Sequence, residues 1–246
     1  MNFIKKSHQQ NVDNLELIIA MVATFEPAYD PSEVRLSIPN LKLTEAKGDA
    51  VLLRLKEAEI ACGLAVAART AVFGGFDGFV TRVINAFRIS DVAEQTIVQC
   101  ESIVRKLHNK KASEDDTPAE KAEGEENEEP GKRNKRRNGS FGTKIENFGK
   151  LIVLLKTQPA YKPNEKDLTV DALNKKHAAL KLANSNCIRK DANAELLRSE
   201  RYNVIYSAKN GLVDIALASK LYVKSAYGAT STQYKSISGI LFTKIK

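Results

Sequence analysis

Three histidines and three cysteines are the side chains of this chain best suited to chemistry: His8, His108, His177, Cys62, Cys100 and Cys187. No histidine has a cysteine, a carboxylate or another histidine at the spacing that metal ligands require. His177 and Cys187 stand ten residues apart on one predicted helix, about 15 Å along its axis, which is too far for a nucleophile and its base. The sequence therefore predicts no metal, no cofactor and no catalytic residue, and core packing is the expected role of these side chains.

An acidic and a basic residue recur at one spacing, as Glu59 with Arg69 and as Asp191 with Arg201. Such repetition is typical of a shared structural task, for example an ion pair to a neighbouring helix. A lone carboxylate can also act as a general acid or base, but no second group of matching spacing accompanies either one. We therefore predict that the chain is not an enzyme, and an enzyme of unknown class is the weakest alternative.

Basic residues are concentrated in positions 144–246, which hold 18 lysines and arginines against 8 acidic residues in a chain of net charge +8. A face of cations and tyrosines there would hold phosphates by charge and stack bases on rings. The other interpretation, which we favour, is a solvated surface with the tyrosines turned inward. The cations are Lys175, Lys176, Lys181, Arg189, Lys190, Arg198, Lys209, Lys220, Lys224 and Lys235, and the tyrosines are Tyr202, Tyr206, Tyr222 and Tyr234.

The sequence repeats itself at a shift of 132 positions. Pro-Ala-Tyr-Asp-Pro-Ser-Glu around Tyr29 matches Pro-Ala-Tyr-Lys-Pro-Asn-Glu around Tyr161, and at the same shift the apolar run 19–23 falls on 151–155. One register held over such a length indicates a tandem duplication. In each copy the tyrosine is predicted to anchor an extended connector laid over the helices.

Apolar residues at helical spacing predict three or four helices in each copy. A first short helix is expected at about 12–24 and about 144–157. A long second helix follows, with Ser37 and Thr169 as N-caps, and it carries one apolar stripe. A further helix is expected at 212–226, closed by Gly228 in the left-handed conformation.

Isolated strand signals are too few to build a sheet, so the predicted fold class is all-α, a tandem duplication of a helical bundle. The predicted domains are a near-neutral helical unit at 1–109 and a basic helical unit at 144–246. Between them, residues 110–143 contain almost no large apolar side chain, which predicts a disordered polyampholyte linker.

Location is predicted from the absence of targeting patterns. The N-terminus leads into a polar stretch and no apolar segment approaches 18 residues, so we expect neither an export signal nor a membrane span. An odd number of widely spaced cysteines is typical of reduced thiols. The chain is therefore expected in the cytoplasm.

Four short runs, 161–165, 211–214, 222–229 and 233–235, resemble a family of uncharacterised bacterial proteins, and the match covers most of both halves. The resemblance implies a helical fold and a bacterial cytoplasm. It implies no activity and no functional residue, because the family has no established function. In the first copy, residues 73–79 depart from the Gly-Leu-Val-Asp pattern of 211–214.

A non-enzymatic helical interaction or scaffold protein is the predicted function, because duplication doubles a binding surface without requiring chemistry. A protein partner or self-association is expected. Nucleic-acid binding through the basic half is the alternative. The partner, the oligomeric state and the packing of the two helical units on each other are left open.

Overall fold

A computed structural model of the chain describes residues 7–25, 27–108 and 141–243. These residues contain helices and no strand, which confirms the all-α prediction. The predicted linker 110–143 lies outside the described residues as far as 140, and its last three residues are helical. The helices are α1 (His8–Ala23), α2 (Ile38–Val72), α3 (Phe76–Arg88), α4 (Glu94–Leu107), α5 (Phe141–Lys156), α6 (Val170–Tyr206), α7 (Leu212–Tyr227) and α8 (Thr232–Ser238), with a 3-10 turn at Val34–Leu36.

Contacts group the chain into two compact units. Unit 1 contains residues 1–64 and 189–246, and unit 2 contains residues 65–188. The predicted domains 1–109 and 144–246 follow the sequence repeat, whereas each unit combines residues from both. Helices α2 and α6 are 35 and 37 residues long, about 50 to 55 Å, and each contributes to both units.

Unit 1 buries one apolar stripe of α1, and α1 contacts α7 and α8. The stripe consists of Val12, Leu15, Ile18, Ile19 and Val22, none more than 6% exposed. Helix α2 approaches at Gly48, where a Cβ would lie 2.9 Å from Leu212 Cδ1 and 3.0 Å from Val12 Cγ2. The missing side chain at Gly48 therefore allows the three helices to pack closely.

Unit 2 packs α4 against both α3 and α5. The buried stripe of α5 is Ile145, Phe148, Leu151, Ile152 and Leu155. Each of these residues follows a buried residue of α1 by 133 positions, so the predicted register of 19–23 on 151–155 is one residue off. The reason is a connector before Tyr29 that is one residue longer than the connector before Tyr161.

Helices α2 and α6 lie side by side and antiparallel in unit 1, because higher residue numbers on α2 meet lower numbers on α6. Three contacts establish the direction: Arg54 with Glu200, Glu59 with Arg198 at 3.1 Å, and Cys62 Sγ with Asp191 Oδ1 at 3.9 Å. The two ion pairs are substantially exposed, so they add little stability. They mainly specify which residues of the two helices face each other.

Each long helix begins one residue after its predicted N-cap, and the two hydroxyls bond differently. Thr169 Oγ1 accepts a hydrogen bond from the Ala172 amide at 3.3 Å, which is an N-cap bond. The Ser37 hydroxyl accepts from the Asn40 side chain at 2.9 Å, and α2 begins at the next residue. Both helices therefore begin where a hydroxyl follows the connector.

Positive φ angles occur in the turns that follow α2, α6 and α7, at Gly75 (69°), Lys209 (66°) and Gly228 (90°). Gly228 has the positive φ of a left-handed cap, but its ψ of 153° lies outside the left-handed helical region. The predicted left-handed cap is therefore wrong. Lys209 adopts a conformation that glycine reaches at lower cost, and its amide donates to Asp214 Oδ2 at 3.0 Å. This hydrogen bond helps to hold the turn before α7.

Candidate functional site

The ten cations predicted to bind a polyanion are distributed over both units. Lys175, Lys176 and Lys181 belong to unit 2, and the other seven belong to unit 1. Within unit 1 the seven lie on α6, α7, α8 and the loop between α6 and α7. The predicted basic surface is therefore not a patch of a single unit.

Several of these cations have structural partners. Lys220 Nζ donates to the carbonyls of Ser238 and Ile240 at 2.9 and 2.7 Å, and burial lowers the pKa of Lys220. Arg198 donates to Glu59 at 3.1 Å. Two more cations lie over aromatic rings, Lys176 at 4.8 Å from the Phe79 centroid and Lys224 at 5.7 Å from the Tyr234 centroid. These four side chains stabilise the fold whether or not they also meet a ligand.

The tyrosines of the basic half are mostly turned inward. Tyr206 is 5% exposed, and its hydroxyl lies 2.8 Å from His8 Nδ1. The Tyr222 hydroxyl accepts from the Asp30 amide at 3.3 Å. Tyr202, 54% exposed, is the most exposed ring of the four and the one best placed to stack on a base.

The two repeat-equivalent tyrosines make the same hydrogen bond. The Tyr29 hydroxyl donates to the Leu36 carbonyl and the Tyr161 hydroxyl donates to the Leu168 carbonyl, each at 2.8 Å. Both rings are 6% exposed, and burial raises the pKa of Tyr29 and brings that of Tyr161 to about 12. Each hydroxyl therefore ties the connector to the residues just before a long helix.

The repeat-equivalent acids have different partners. Glu59 forms an ion pair with Arg198 of the neighbouring helix α6, the kind of contact that the repetition predicts. Asp191 instead lies 3.9 Å from the Cys62 thiol. The two carboxylates therefore do not share one task.

The repeat-equivalent arginines share an unusual environment. In both Arg69 and Arg201 the Nε atom is buried without a hydrogen-bond partner. The Arg69 guanidinium lies 4.1 Å above the Phe141 ring and donates to Asn184 Oδ1 at 3.2 Å. The cation–π contact and the hydrogen bond to Asn184 compensate part of the cost of burying the Arg69 charge.

Of the histidines and cysteines, Cys100 and Cys187 are buried, whereas Cys62 and the three histidines are partly buried. His177 Nε2 lies 3.1 Å from the Ile145 carbonyl, and burial together with Arg201 lowers the pKa of His8. Cys100 is fully buried, and burial raises its pKa to about 12. Among the described residues no group of three or more His, Cys, Asp or Glu side chains could hold a metal ion.

An open groove of about 620 Å³ lies in unit 2 between the end of α3 and the connector 160–165. Beside it, Arg82 makes a bidentate pair with Asp167 at 2.7 and 3.2 Å, which lowers the pKa of Asp167. This pair satisfies the charges of both side chains. Asp91, Lys162 and Glu165 also line the groove.

Helix α2 exposes a second apolar face, which we call the outer seam: Ala46, Ala50, Leu53, Glu57, Ile60 and Leu64. Leu53, Ile60 and Leu64 are 58%, 57% and 68% exposed. The seam alternates steps of four and three residues, and the buried face of α2 at Gly48, Val51, Leu55 and Ala58 has the same period. One apolar stripe was predicted on this helix, although the same periodicity also indicates the second.

The segment that contains α2 and α3 is also apolar enough to be considered as a membrane span. The segment Ile38–Arg88 contains an 18-residue window with a mean hydropathy of 1.3, of which 11% is buried. By length and composition alone it meets the criterion for a membrane span, so the expectation that no apolar segment approaches 18 residues is wrong.

Comparison with known proteins finds no matching family model, no matching curated protein and no matching solved structure. The resemblance to a bacterial family therefore stays a prediction. Arguments about function depend on the residues of this chain and their geometry.

Proposed function

We propose that the chain is a non-enzymatic helical interaction protein whose outer seam binds a partner helix. The observation that carries this proposal is the exposure of Leu53, Ile60 and Leu64 on a helix whose opposite face is already buried. Exposed apolar residues that are contiguous, rather than scattered singly, mark sites of association.

The spacing of the outer seam favours a helix as the partner. Alternating steps of four and three residues keep one stripe facing a neighbouring helix, so that each side chain can enter a hole between four residues of that neighbour. The seam covers 19 residues, about 28 Å of helix. A helix of ordinary length would cover it.

The architecture behind the interaction surface is, in this proposal, a tandem duplication whose copies exchange helices. The matched bonds of Tyr29 and Tyr161 support it, as do the buried stripes of α1 and α5. Buried residues of α7 also lie 136 positions after buried residues of α3. Phe76 corresponds to Leu212 in this way, and Phe87 corresponds to Val223. Each unit would then combine the first helix of one copy with the last helices of the other.

Replacing Leu64 by lysine tests the proposed function. The immobilised full chain is exposed to a bacterial lysate and, separately, to its own soluble form, and the retained proteins are quantified. Leu64→Lys should lose most of the specific retention, because lysine interrupts the seam at its most exposed large residue. Leu196→Lys is the matched control, since Leu196 is 70% exposed on α6. Equal retention by both variants and by the unaltered chain would contradict the proposal.

Nucleic-acid binding is the second candidate, and the exposed cations of α6 favour it. Arg189 and Lys190 are adjacent and exposed in unit 1, and Lys175 and Lys181 are exposed in unit 2. Binding of generic duplex and single-stranded DNA should then fall linearly on a plot of log affinity against log salt. The double variant Arg189→Gln with Lys190→Gln should reduce the slope by about 2, and undetectable binding at low salt would remove this candidate.

A further inference from the structure

We infer that the groove between α3 and the connector 160–165 binds a para-hydroxyphenyl group, the chemistry of a tyrosine side chain and of small phenols. The groove belongs to unit 2 and the outer seam to unit 1, so this site is separate from the proposed interaction surface. Unit 1 seats a phenol ring of its own at the corresponding place.

Two matches relate the groove to unit 1, and both come from the proposed duplication. The connectors match at a shift of 132 positions, which pairs Lys162 with Asp30, and the tyrosine of each connector makes the same hydrogen bond. Burial in α3 and α7 matches at a shift of 136, which pairs Ala86 with Tyr222.

In unit 1 the Tyr222 ring lies between α7 and the connector. It meets the Tyr29 ring edge-on, with the centroids 5.2 Å apart. Its hydroxyl accepts a hydrogen bond from the Asp30 amide at 3.3 Å. The ring therefore covers the connector, while the hydroxyl satisfies one of the connector amides.

Unit 2 has a groove where unit 1 has this ring. Ala86 and Lys162, the counterparts of Tyr222 and Asp30, both line its volume of about 620 Å³. Among the described residues none accepts a hydrogen bond from the Lys162 amide. The Tyr161 ring contacts Phe87 instead, at 5.9 Å, but Phe87 is fully buried and does not line the groove.

The lining of the groove has the chemistry that a phenol requires. Ala86 and Leu168 offer apolar surface to a ring, and the Lys162 amide can donate to its hydroxyl oxygen. The carboxylates of Asp91 and Glu165 line the same groove and can accept the hydroxyl proton. A ring without a hydroxyl would leave these polar groups without a partner.

The volume of the groove exceeds that of one ring, which leaves room for a group attached to the phenol. A free phenol has few atoms with which to bind, so its dissociation constant is expected on the order of millimolar. Additional contacts from an attached peptide backbone would lower that value.

Amide chemical shifts of the isotope-labelled full chain measure binding. p-Cresol, the tyrosine side chain as a free molecule, should shift the Lys162 and Ala86 signals, and toluene should leave the Lys162 signal in place because it lacks the hydroxyl. N-acetyltyrosinamide that binds at least about tenfold more tightly than p-cresol would identify a tyrosine within a peptide as the source of the ring. Equal affinities would identify a small phenol.

Filling the groove tests the comparison between the units. Ala86→Tyr should supply the ring from within the chain and weaken p-cresol binding at least about tenfold, and Ala86→Leu is the smaller replacement. Ala179→Tyr, at an exposed alanine of α6 in unit 2, should leave binding unchanged. Tyr222→Ala opens the corresponding place in unit 1, where p-cresol should then shift the Asp30 amide. Circular dichroism of each variant confirms that the helices are retained.

A Lys162 amide that p-cresol does not shift would overturn the inference, as would binding that folded Ala86→Tyr and Ala86→Leu leave intact. Toluene that acts like p-cresol would also overturn it, because the groove would then select for apolar surface alone. None of these outcomes depends on Leu64, so the proposed function of the outer seam stands or fails by its own test.

Discussion

Removing the buried hydroxyl of Tyr161 should destabilise the chain at neutral pH and have progressively less effect above pH 10. Tyr161→Phe keeps the ring, which is 6% exposed, and deletes the hydrogen bond of 2.8 Å to the Leu168 carbonyl. A buried carbonyl that loses its donor costs about 1 to 2 kcal/mol. We expect that loss in the free energy of unfolding at pH 8.

The pH dependence follows from the two pKa values of Tyr161. In the unfolded chain a tyrosine titrates near pH 10, whereas burial raises the pKa of folded Tyr161 to about 12. Because the folded pKa is the higher one, the unfolded state loses its proton first, and stability is lost as pH rises from about 10 to about 12. Two pKa units correspond to about 2.7 kcal/mol, which solvent screening reduces to roughly half.

Urea unfolding followed by circular dichroism at pH 8, 10 and 11.5 measures both effects. The stability difference between the natural chain and Tyr161→Phe should shrink as pH rises, because phenylalanine does not titrate. Cys100, whose pKa is also about 12, is present in both proteins and contributes to both curves. Tyr29→Phe is the matched variant in unit 1, and it should cost a similar amount at pH 8. A difference that is near zero at pH 8, or that grows toward pH 11.5, would refute this reasoning.

Three further outcomes are expected. Gly211→Ala should cost at least about 2 kcal/mol in urea unfolding, because its Cβ would lie 2.6 Å from backbone atoms of the preceding turn. Gly63→Ala, where nothing lies within 4 Å, should stabilise the exposed interior of α2 by about 0.5 to 1 kcal/mol, and a loss of stability would contradict the open space at this position. Iodoacetamide should label Cys62 in the folded chain well before Cys100 and Cys187, which are 0% and 4% exposed, and equal rates measured by mass spectrometry would contradict the burial.

Much of the local structure could be predicted because it depends on neighbours in the chain. Thr169 caps α6, and the Ser231 hydroxyl accepts from the Tyr234 amide at the start of α8. A serine or threonine just before a helical pattern of apolar residues indicates such a cap. The end of α1 before the proline segment was predictable for the same reason, since proline restricts the residue before it.

The candidate site was less predictable because exposure is a property of the packed molecule. Lys220 reads as a surface cation in the sequence, yet it donates to two carbonyls near the end of the chain. Leu64 belongs to a residue type that is usually buried, yet it is 68% exposed. Periodicity shows that two faces of α2 are apolar, but it does not show which face is covered.

Residues close together in the chain indicate that it is helical and where its long helices begin, and they place Tyr29 and Tyr161 in matching segments. These properties follow from backbone preferences, capping hydroxyls and the periodic spacing of apolar residues, all of which act over a few residues. The packing of α1 with α7 and α8, and the exposure of one apolar face of α2, are visible only in the folded molecule. Those outcomes depend on which distant segments meet, and a choice among several apolar stripes of the same period is made by the packing of the whole chain.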